Sequence, residues 1–421
     1  MLHRCGRVLE GCRRQLAPEY LVRSLNEHGT RAFFGMPDSH LRPLTSYLAD
    51  HTAAGEYAMA TNCGNAMAMA AGHHLATLRT PCVFMQNSGI GDATNPLLTL
   101  FHKEAYSMPC LLLISWRGRP DTVDEHVKPG LVAQGRLTEH CLSAIGIPYS
   151  VVGDSDDVGM SWDVMVDKAY YHLATEKTPF AVLLEPGTLA PYTQRRPDAD
   201  ALPVAPLDHD TVAAQVCRQF NATDAFVCSC GGVQDSLRRA RASTSGSAGT
   251  AQDLLLADSL GHAVGVAAGI ALARPSLQVV CIEGDGAALV HMNAMATNGG
   301  LNAIKDAGTG AGLLHNLKHV VVNDGSYSLE GGQVSAAFDA SLTGVAKACG
   351  YFAVREEPVI DLGDLVAALA ELRQCDGPAF LEVVVSRRNA AAAAPAAAAP
   401  EPRDLHAEKH RFSEFLNCTG A

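Results

Sequence analysis

The sequence predicts two related α/β domains, each with three layers around a central, mostly parallel sheet. Residues from about 17 to 190 alternate helix-like and strand-like segments, which is typical of layered α/β folds. A second alternating stretch extends from residue 208 to about residue 388. Within it, residues 279–282 and 320–322 are unbroken apolar runs, the pattern of strands buried on both faces of a parallel sheet.

The two halves of the chain are similar to each other at an offset of 197 positions. Residues 64–89 then align with residues 261–286 without a gap, and nine of the 26 pairs are identical. Similarity of this kind indicates a duplicated structural unit, with the chance likeness of two Ala-rich helices as the alternative. In this register Asn87-Ser88-Gly89 takes the place of Gly284-Asp285-Gly286, so only the second half carries a carboxylate there.

Changes in composition mark the domain boundaries. Residues 191–207 contain four prolines and are predicted to be a linker, whereas residues 389–404 are mostly Ala and Pro. The predicted division is a basic segment, 1–16; a first domain, 17–190; the linker, 191–207; a second domain, 208–388; the Ala/Pro segment, 389–404; and a C-terminal helix, 405–421. The basic segment is either a short transit peptide or a basic first helix.

Composition restricts the classes of protein that the chain can belong to. Hydrophobic content of 48% and charged content of 18% indicate a soluble globular protein, and no apolar run approaches 18 residues. The net charge of −12 argues against a nucleic-acid partner, so an anionic ligand must be held by local cations. Thirteen scattered cysteines without a CxxC pair indicate a reducing compartment. We expect a cytoplasmic protein, or a mitochondrial one if the Arg-rich N-terminus is a transit peptide.

The segment Gly284-Asp285-Gly286 follows a buried-type strand and precedes a helix-like segment. Its two glycines allow a sharp turn and a close approach to a ligand. Asp285 would then lie at the carboxyl end of a strand, where open α/β sheets bind ligands. The following helix offers N–H groups to an anion, and a carboxylate beside phosphates favours Mg²⁺. A tight turn capped by Asp is the alternative for so short a motif.

A second predicted strand ends in Asn323-Asp324-Gly325. If the two strands are neighbours, Asp285 and either Asn323 or Asp324 lie at one edge of the sheet and supply oxygen ligands to the same cation. An ordinary turn is the alternative, because Asn, Asp and Gly all favour turns. The sequence leaves open whether Asn323 or Asp324 is the ligand.

Together, these two strand ends resemble the thiamin-diphosphate signature. The 38 positions from Asp285 to Asn323 exceed the usual spacing, and residues 302–312 are predicted to be an inserted surface loop. The resemblance implies a thiamin-diphosphate-binding fold, with a pyrimidine-binding first domain and a second domain that binds the diphosphate. It also implies thiamin diphosphate and Mg²⁺ as cofactors, with the metal held by Asp285, by Asn323 or Asp324, and by a backbone carbonyl.

Further motifs are similar to those of the phosphonopyruvate decarboxylase family. They occur at residues 33–39, 64–66, 71–77, 85–89 and 113–118 in the first half, and at 259–263, 284–286, 331–333 and 377–383 in the second. The likeness covers residues 17–388. It implies decarboxylation of 3-phosphonopyruvate to phosphonoacetaldehyde and CO₂ in phosphonate biosynthesis, by a homodimer or higher homo-oligomer without nucleic-acid or membrane partners. The alternatives are a sulfopyruvate decarboxylase and a catalytically impaired homologue that still binds cofactor.

The resemblance also suggests roles for individual residues. The first domain would present Asp38, Ser39, Asn87 and Ser88 to the anionic 2-oxo acid, although a helix cap and a turn are the plainer interpretations of these two segments. Glu125 and His126 belong to a loop that departs from the family pattern. Arg117, Lys128 and Arg136 are candidate cations for the substrate. The predicted cofactor-binding residues are Gly64, Gly261, His262, Gly284, Gly286, Ala287 and Gly325.

Cys63 is the main departure from the family. It stands directly before Gly64-Asn65-Ala66, where the family has a Glu that hydrogen-bonds the pyrimidine ring and promotes deprotonation of the cofactor. A thiol is a weak donor and a weak acceptor. Because general acid–base catalysis contributes about 10²–10⁴ in rate, Cys63 predicts weakened turnover. Two further departures are Cys230-Gly231-Gly232 in place of a Thr-Gly-Lys turn, and Ser326-Tyr327 in place of Ala-His.

Overall fold

The computed structural model describes residues 15–120, 129–153, 158–195, 205–245, 251–328, 332–387 and 403–419. The chain divides into two compact units, residues 1–196 and 197–421. Each unit contains one six-stranded sheet in which all strand pairs are parallel. Within the described residues, no helix combines the length and the apolar character needed to cross a membrane.

The sheet of the first unit has the strand order β2–β1–β3–β4–β6–β5. Its strands are β1 (Phe33–Gly35), β2 (Tyr57–Met59), β3 (Cys82–Gln86), β4 (Leu111–Ser115), β5 (Tyr149–Val152) and β6 (Phe180–Leu184). All five residues of β4 and of β6 are buried. Helices therefore cover both faces of this sheet, as continuous apolar strands require.

Six α-helices flank the first sheet in the part of this unit that the structure describes. They are α1 (Pro18–Glu27), α2 (Arg42–His51), α3 (Cys63–Thr77), α4 (Ile90–Pro96), α5 (Pro129–Ile145) and α6 (Val158–Thr175). Along β4, Leu112 packs into the core on the side of α3 and α4, whereas Leu113 packs into the core beside α1, α2 and α6. Alternation of side chains along a strand thus fills two cores, which confirms the predicted three layers.

The sheet of the second unit has the order β11–β12–β10–β9–β7–β8. Its strands are β7 (Ala225–Cys228), β8 (Asp253–Leu255), β9 (Val279–Gly284), β10 (Leu317–Asn323), β11 (Phe352–Ala353) and β12 (Ala379–Val384). The helices are α7 (His209–Gln219), α8 (Gly232–Ser245), α9 (Ala263–Ala273), α10 (Asp285–Val290), α11 (Asn293–Ala303), α12 (Leu342–Ala348), α13 (Leu362–Gln374) and α14 (Leu405–Cys418). Through the buried Phe412, α14 packs into the same core as α9.

The two sheets have one topology. Read from its other edge, the second sheet has the order β8–β7–β9–β10–β12–β11, which is the order of the first with six added to each number. The strands β3 and β9 are equivalent in this comparison, as are β4 and β10. Shared topology supports the duplication that the sequence comparison indicates, because chance similarity of two helices would not extend to six strands.

Candidate functional site

The carboxyl ends of β9 and β10 lie side by side in the second unit. Gly284 pairs with Val322 in the parallel register, so Asp285 and Asn323 each follow one of these paired positions. Asp285 begins α10 directly after the strand and is 3% exposed. The predicted strand, turn and helix are therefore present, and the two strands are neighbours.

The carboxyl group of Asp285 is in an unfavourable electrostatic environment. Burial, followed by the charge of Asp324, raises the pKa of Asp285 to about 7, although hydrogen bonds from Ser335 and from backbone N–H groups act in the opposite direction. One oxygen of Asp285 accepts a hydrogen bond from the Ser335 hydroxyl. Within the described parts of the chain, no Lys or Arg side chain forms an ion pair with Asp285. A buried carboxylate that lacks such a partner and feels the charge of a second buried carboxylate suits a bound cation.

Asp324 is held by hydrogen bonds from its own turn. Its Oδ1 accepts from the backbone N–H of Ser326 at 3.0 Å and from the hydroxyl of Ser326 at 2.9 Å. Its Oδ2 accepts from the hydroxyl of Ser328 at 2.6 Å, and Nε2 of His209 lies 3.5 Å from the same oxygen. Most of the acceptor positions of this carboxylate are therefore occupied by the protein itself.

Asn323 is anchored differently. Its Nδ2 donates to Oε1 of Glu382 at 2.8 Å, whereas its Oδ1 accepts one hydrogen bond, from the N–H of Gly325 at 2.9 Å. Glu382 is itself buried and accepts from the N–H and the hydroxyl of Thr343 at 3.0 Å and 2.8 Å. An amide oxygen has two lone pairs, so Oδ1 of Asn323 keeps one for a ligand.

Two glycines of the second unit are required where they stand. A Cβ at Gly286 would lie 2.8 Å from the ring of Tyr327, so only glycine leaves room for this ring. Gly261 has φ = +80°, and a Cβ there would lie 3.1 Å from the backbone oxygen of Ala287. The structure thus brings Gly261 next to α10. Gly284 has no such contact within 3.8 Å, because its nearest neighbour is a backbone oxygen at 3.9 Å.

Of the remaining predicted cofactor-binding residues, His262 and Gly325 belong to the second unit. His262 is exposed before α9, and its ring packs edge-on against His291 with centroids 4.4 Å apart. Gly325 has φ = +65° in the turn after β10. Gly64 belongs to the first unit, where it is the second residue of α3.

The predicted substrate-facing residues gather at one edge of the first sheet. Asp38 is 1% exposed and accepts the N–H of His40 at 2.7 Å, which makes a turn. The alternative of a helix cap is wrong, because Leu41 precedes α2 without any side-chain cap. Asn87 is buried, whereas Ser88 is exposed and accepts from Gln86 at 2.8 Å. Glu125 and His126 lie outside the described residues.

Cys63 begins α3 and is 2% exposed. A Cβ at Gly89 would lie 2.3 Å from its Sγ, so the thiol packs directly against the backbone after β3. Burial, with a smaller contribution from the charge of Asp92, raises the pKa of the Cys63 thiol to about 12. The side chain is therefore a neutral thiol at physiological pH.

Sequence reasoning missed the residues that support Asp285 and Asn323. Ser335 is 50 positions from Asp285, and Glu382 is 59 positions from Asn323. A buried acid within the apolar strand β12 is a signal that could have identified Glu382, since unpaired acids are rarely buried. No local pattern around Ser335 or His209 indicates a role.

Comparison with known proteins associates both units with one family. Residues 17–137 match the N-terminal TPP binding domain of thiamine pyrophosphate enzymes, and residues 236–383 match the C-terminal TPP binding domain. Phosphonopyruvate decarboxylase from Streptomyces viridochromogenes is 29% identical over 377 residues, covering 87% of each chain. The enzyme of the same name from Streptomyces hygroscopicus is 28% identical and covers 94% of this chain and 92% of its own.

A partial relative has a different name. Sulfopyruvate decarboxylase subunit alpha from Methanocaldococcus jannaschii is 36% identical over 89 residues, which are 21% of this chain and 48% of the subunit. The likeness to it is thus confined to a much shorter part of the chain than the likeness to the two Streptomyces proteins.

Proposed function

Because the chain belongs to the thiamine pyrophosphate enzymes and carries both TPP binding domains, we propose that it decarboxylates 3-phosphonopyruvate with thiamin diphosphate and Mg²⁺. The products would be phosphonoacetaldehyde and CO₂, which assigns the protein to phosphonate biosynthesis. The two relatives that cover most of the chain support this substrate, since both are named phosphonopyruvate decarboxylases. Sulfopyruvate is the second candidate, supported by the partial relative.

The observation that carries the proposal is the buried acidic pair at the ends of β9 and β10. Asp285 and Asp324 are 3% and 8% exposed, and the charge of Asp324 raises the pKa of Asp285. A divalent cation would remove the repulsion between these charges. Mg²⁺ takes carboxylate, amide and carbonyl oxygens and keeps contacts for phosphate oxygens. The residues present therefore fit a magnesium diphosphate.

We assign the amide oxygen of Asn323, rather than Asp324, as the second side-chain ligand. Oδ1 of Asn323 accepts one hydrogen bond from the protein, whereas the oxygens of Asp324 accept three from Ser326 and Ser328. In this arrangement Asp324 shapes the turn and adds negative charge near the cation. Asp285 supplies the carboxylate ligand, and Ser335 orients it.

Thiamin diphosphate, when bound, supplies the nucleophile that adds to the keto carbon and the electron sink that accepts the pair left by CO₂. The chain's own contribution is to bind and orient the cofactor and the substrate. Gly261 and Gly286 keep the backbone free of side chains where the diphosphate would approach. Cys63 holds its proton at neutral pH and is a poor hydrogen-bond partner, so it adds little acid–base help.

The activity test compares CO₂ release from 3-phosphonopyruvate and from sulfopyruvate, with thiamin diphosphate and Mg²⁺ present. We expect slow turnover with a higher kcat/KM for phosphonopyruvate. In Cys63→Glu we expect a gain of about 10²–10⁴ in kcat, whereas Cys63→Ser should give no such gain. Activity that is detected in Cys63→Glu but not in wild type or Cys63→Ser would show that the wild-type protein is a weakened enzyme. Absence of heat in calorimetry at millimolar thiamin diphosphate with Mg²⁺ would overturn both decarboxylase assignments.

We further propose that the protein works as a homodimer or higher homo-oligomer in the cytoplasm, with neither a nucleic-acid nor a membrane partner. Exposed apolar helix faces support self-association. Helix α9 has no charged residue along Ala263–Ala273, yet Val266 and Leu272 are 36% and 40% exposed. In the equivalent helix α3, Leu75 is 65% exposed. Apolar helices of soluble proteins are normally covered.

A further inference from the structure

Three neighbouring strands of the first sheet end at one place. The strands β1, β3 and β4 are adjacent in the sheet, and the segments after them contain Asp38 and Ser39, Asn87, and Arg117 respectively. From β1 the chain first moves to β2 on one side and then crosses to β3 on the other. Between β1 and β3 lies the topological switch point, the position where parallel α/β sheets open a crevice for ligands.

Arg117 is held at this edge by a buried amide. Nδ2 of Asn87 donates to the backbone oxygen of Arg117 at 3.0 Å, and the N–H of Arg117 donates back to Oδ1 of Asn87 at 3.3 Å. Asn87 is 5% exposed and also donates to the hydroxyl of Thr138 on α5 at 2.8 Å. Because β3, β4 and α5 are joined through one amide, the backbone of Arg117 has little freedom.

Some hydrogen-bond donors of the Arg117 side chain have no acceptor among the described residues. One terminal nitrogen donates to Oγ of Ser39 at 3.2 Å, and its Nε is buried without a hydrogen-bond partner. No carboxylate forms an ion pair with Arg117 within the described ranges, which omit residues 121–128. The side chain is only partly buried, so a ligand can reach it.

A second unsatisfied group belongs to Asp38, the residue before Ser39. Oδ1 of Asp38 is buried without a partner, and the residue is 1% exposed. Buried polar atoms are nearly always hydrogen-bonded, so a ligand or a water molecule is expected at such an atom. A buried N–H and a buried carboxylate oxygen at the same edge call for a ligand that offers an acceptor and a donor.

Because the two sheets share one topology, this edge of the first sheet can be compared with the equivalent edge of the second. The strand β10 of the second unit, equivalent to β4, ends at Asn323 and is followed by Asp324, which together present oxygen atoms, whereas β4 is followed by Arg117. The two copies of one sheet edge have therefore acquired opposite charges, one suited to a cation and the other to an anion. Because the net charge of the chain is −12, an anion must be held by a local cation such as Arg117.

We propose that Arg117 and Ser39, positioned by Asn87, bind the tetrahedral anionic tail of the 2-oxo acid substrate, a phosphonate or sulfonate group. This inference rests on the proposed function and deepens it. The guanidinium group donates two parallel hydrogen bonds to such an oxyanion, which a lysine cannot reproduce. Asp38 accepts from a protonated oxygen of the tail, which favours a hydrogen phosphonate over a sulfonate. Arg117 is thus a specificity-determining residue.

The test measures binding of 3-phosphonopropionate, which lacks the keto group and cannot react, to the full-length protein with thiamin diphosphate and Mg²⁺. Calorimetry is performed on wild type, on Arg117→Gln and on Arg79→Gln, whose arginine is exposed between α3 and β3. We expect a loss of about a hundredfold in affinity for Arg117→Gln. Arg79→Gln should bind within about threefold of wild type, as expected for a surface charge.

Further ligands and a conservative variant complete the test. Arg117→Lys keeps the charge and should retain part of the affinity while losing the preference for phosphonopropionate over the dicarboxylate succinate; this variant decides the matter if Arg117→Gln fails to fold. Unchanged binding in Arg117→Gln, equal losses at Arg117 and Arg79, or inorganic phosphate binding as tightly as phosphonopropionate would each overturn the assignment. Arg117-dependent binding in a protein that releases no CO₂ would refute the decarboxylase and leave this site standing, whereas CO₂ release with Arg117-independent binding would do the reverse.

Discussion

Cys63 shows how burial can dominate the chemistry of a single side chain. Its Sγ packs against the backbone at Gly89, and the surrounding protein raises the pKa of the thiol to about 12. The reactive form of cysteine is the thiolate, which this environment disfavours. Cys63 therefore belongs to the inert, structural class of cysteines despite its position in a predicted active site.

We predict that Cys63 resists alkylation by iodoacetamide at pH 8. With a pKa of about 12, only about 10⁻⁴ of the thiol is ionised there, and the fraction grows only as the pH approaches that value. Cys141 and Cys418 are exposed and should react first. Mass spectrometry of peptides from the native protein measures each site, and the urea-unfolded protein is the control. Labelling of Cys63 at the rate of Cys141 would contradict the buried, protonated thiol.

At Asp285, the requirements of function and stability oppose each other. We predict that Asp285→Asn raises the free energy of unfolding of the metal-free protein by about 1–3 kcal/mol at neutral pH, because it removes one of two buried like charges. The same variant should lose the stabilisation that Mg²⁺ and thiamin diphosphate give to wild type. Urea denaturation with and without both ligands measures the two effects. A destabilised apo variant that still responds to Mg²⁺ would refute the cation site.

Asn323 and Asp324 are expected to have different roles, the first as a metal ligand and the second as a positioning residue. We predict that Asn323→Ala weakens Mg²⁺ binding at least about tenfold more than Asp324→Asn, because Asn323 has an oxygen lone pair available and Asp324 is nearly saturated. The Mg²⁺ concentration that gives half of the maximal thiamin diphosphate binding is the measured quantity. The reverse order would make Asp324 the ligand and Asn323 its support.

At the scale of elements, β9 and β10 are joined by a fully buried pair. Nε2 of His319 lies 2.8 Å from Oε1 of Glu283, and the two side chains are 0% and 1% exposed. Cys281 faces the same space, since its Sγ and the nearest ligand-type atoms of Glu283 and His319 all lie within 4.8 Å. The pair forms part of the packed interior that fixes the two strands carrying Asp285 and Asn323.

We predict that His319→Leu lowers the free energy of unfolding by about 3–5 kcal/mol, because it leaves the Glu283 carboxylate buried and uncompensated. The double variant with Glu283→Leu should recover a large part of that loss, since it removes the orphaned charge. Equilibrium unfolding in urea gives both values. A loss below about 0.5 kcal/mol in the single variant would show that the pair contributes nothing to stability.

The predicted insertion between α11 and β10 is confirmed as a surface loop over most of its length. Residues 303–310 are exposed, and a bridge between Lys305 and Gly312 closes the loop. Asp306 stabilises it by accepting from the N–H groups of Gly308 and Thr309 at 3.0 Å and 2.8 Å. Its position explains how the spacing from Asp285 to Asn323 can be long while both residues keep their places at the sheet edge.

At the scale of the whole molecule, two copies of one topology carry different chemical groups. The oxygen-rich edge after β9 and β10 and the cationic edge after β4 occupy equivalent places in their sheets. The exposed apolar faces of α3 and α9 are equivalent as well, which is why we expect both to be covered when subunits associate.

We predict that Leu75→Glu combined with Leu272→Glu shifts the protein toward monomer, because each charge would be desolvated within a subunit contact. Light scattering after size-exclusion chromatography measures the mass. Leu362→Glu is the matched control, since Leu362 is 47% exposed on α13 and lies on neither helix. An unchanged mass in the double variant would mean that these faces are not the subunit contact.

Much of the fold was predictable from the sequence for a local reason. The apolar runs of β9 and β10, the turn at Asp285 and the similarity of residues 64–89 to 261–286 depend on composition and order over short stretches. Side-chain periodicity and turn chemistry act between near neighbours in the chain, so they can be recognised from the sequence alone. Recognition of the family rests on the same short motifs.

Only the tertiary structure determined which side chains from different elements contact each other. Ser335 reaches Asp285, Glu382 reaches Asn323, and Asn87 clamps Arg117 across distances of 50, 59 and 30 positions in the chain. The sequence left Asn323 and Asp324 equivalent, and their hydrogen bonds distinguish them. Hydrogen-bond saturation, burial and the pKa values that follow from burial depend on which distant residues meet, and that is a property of the folded chain rather than of any segment of it.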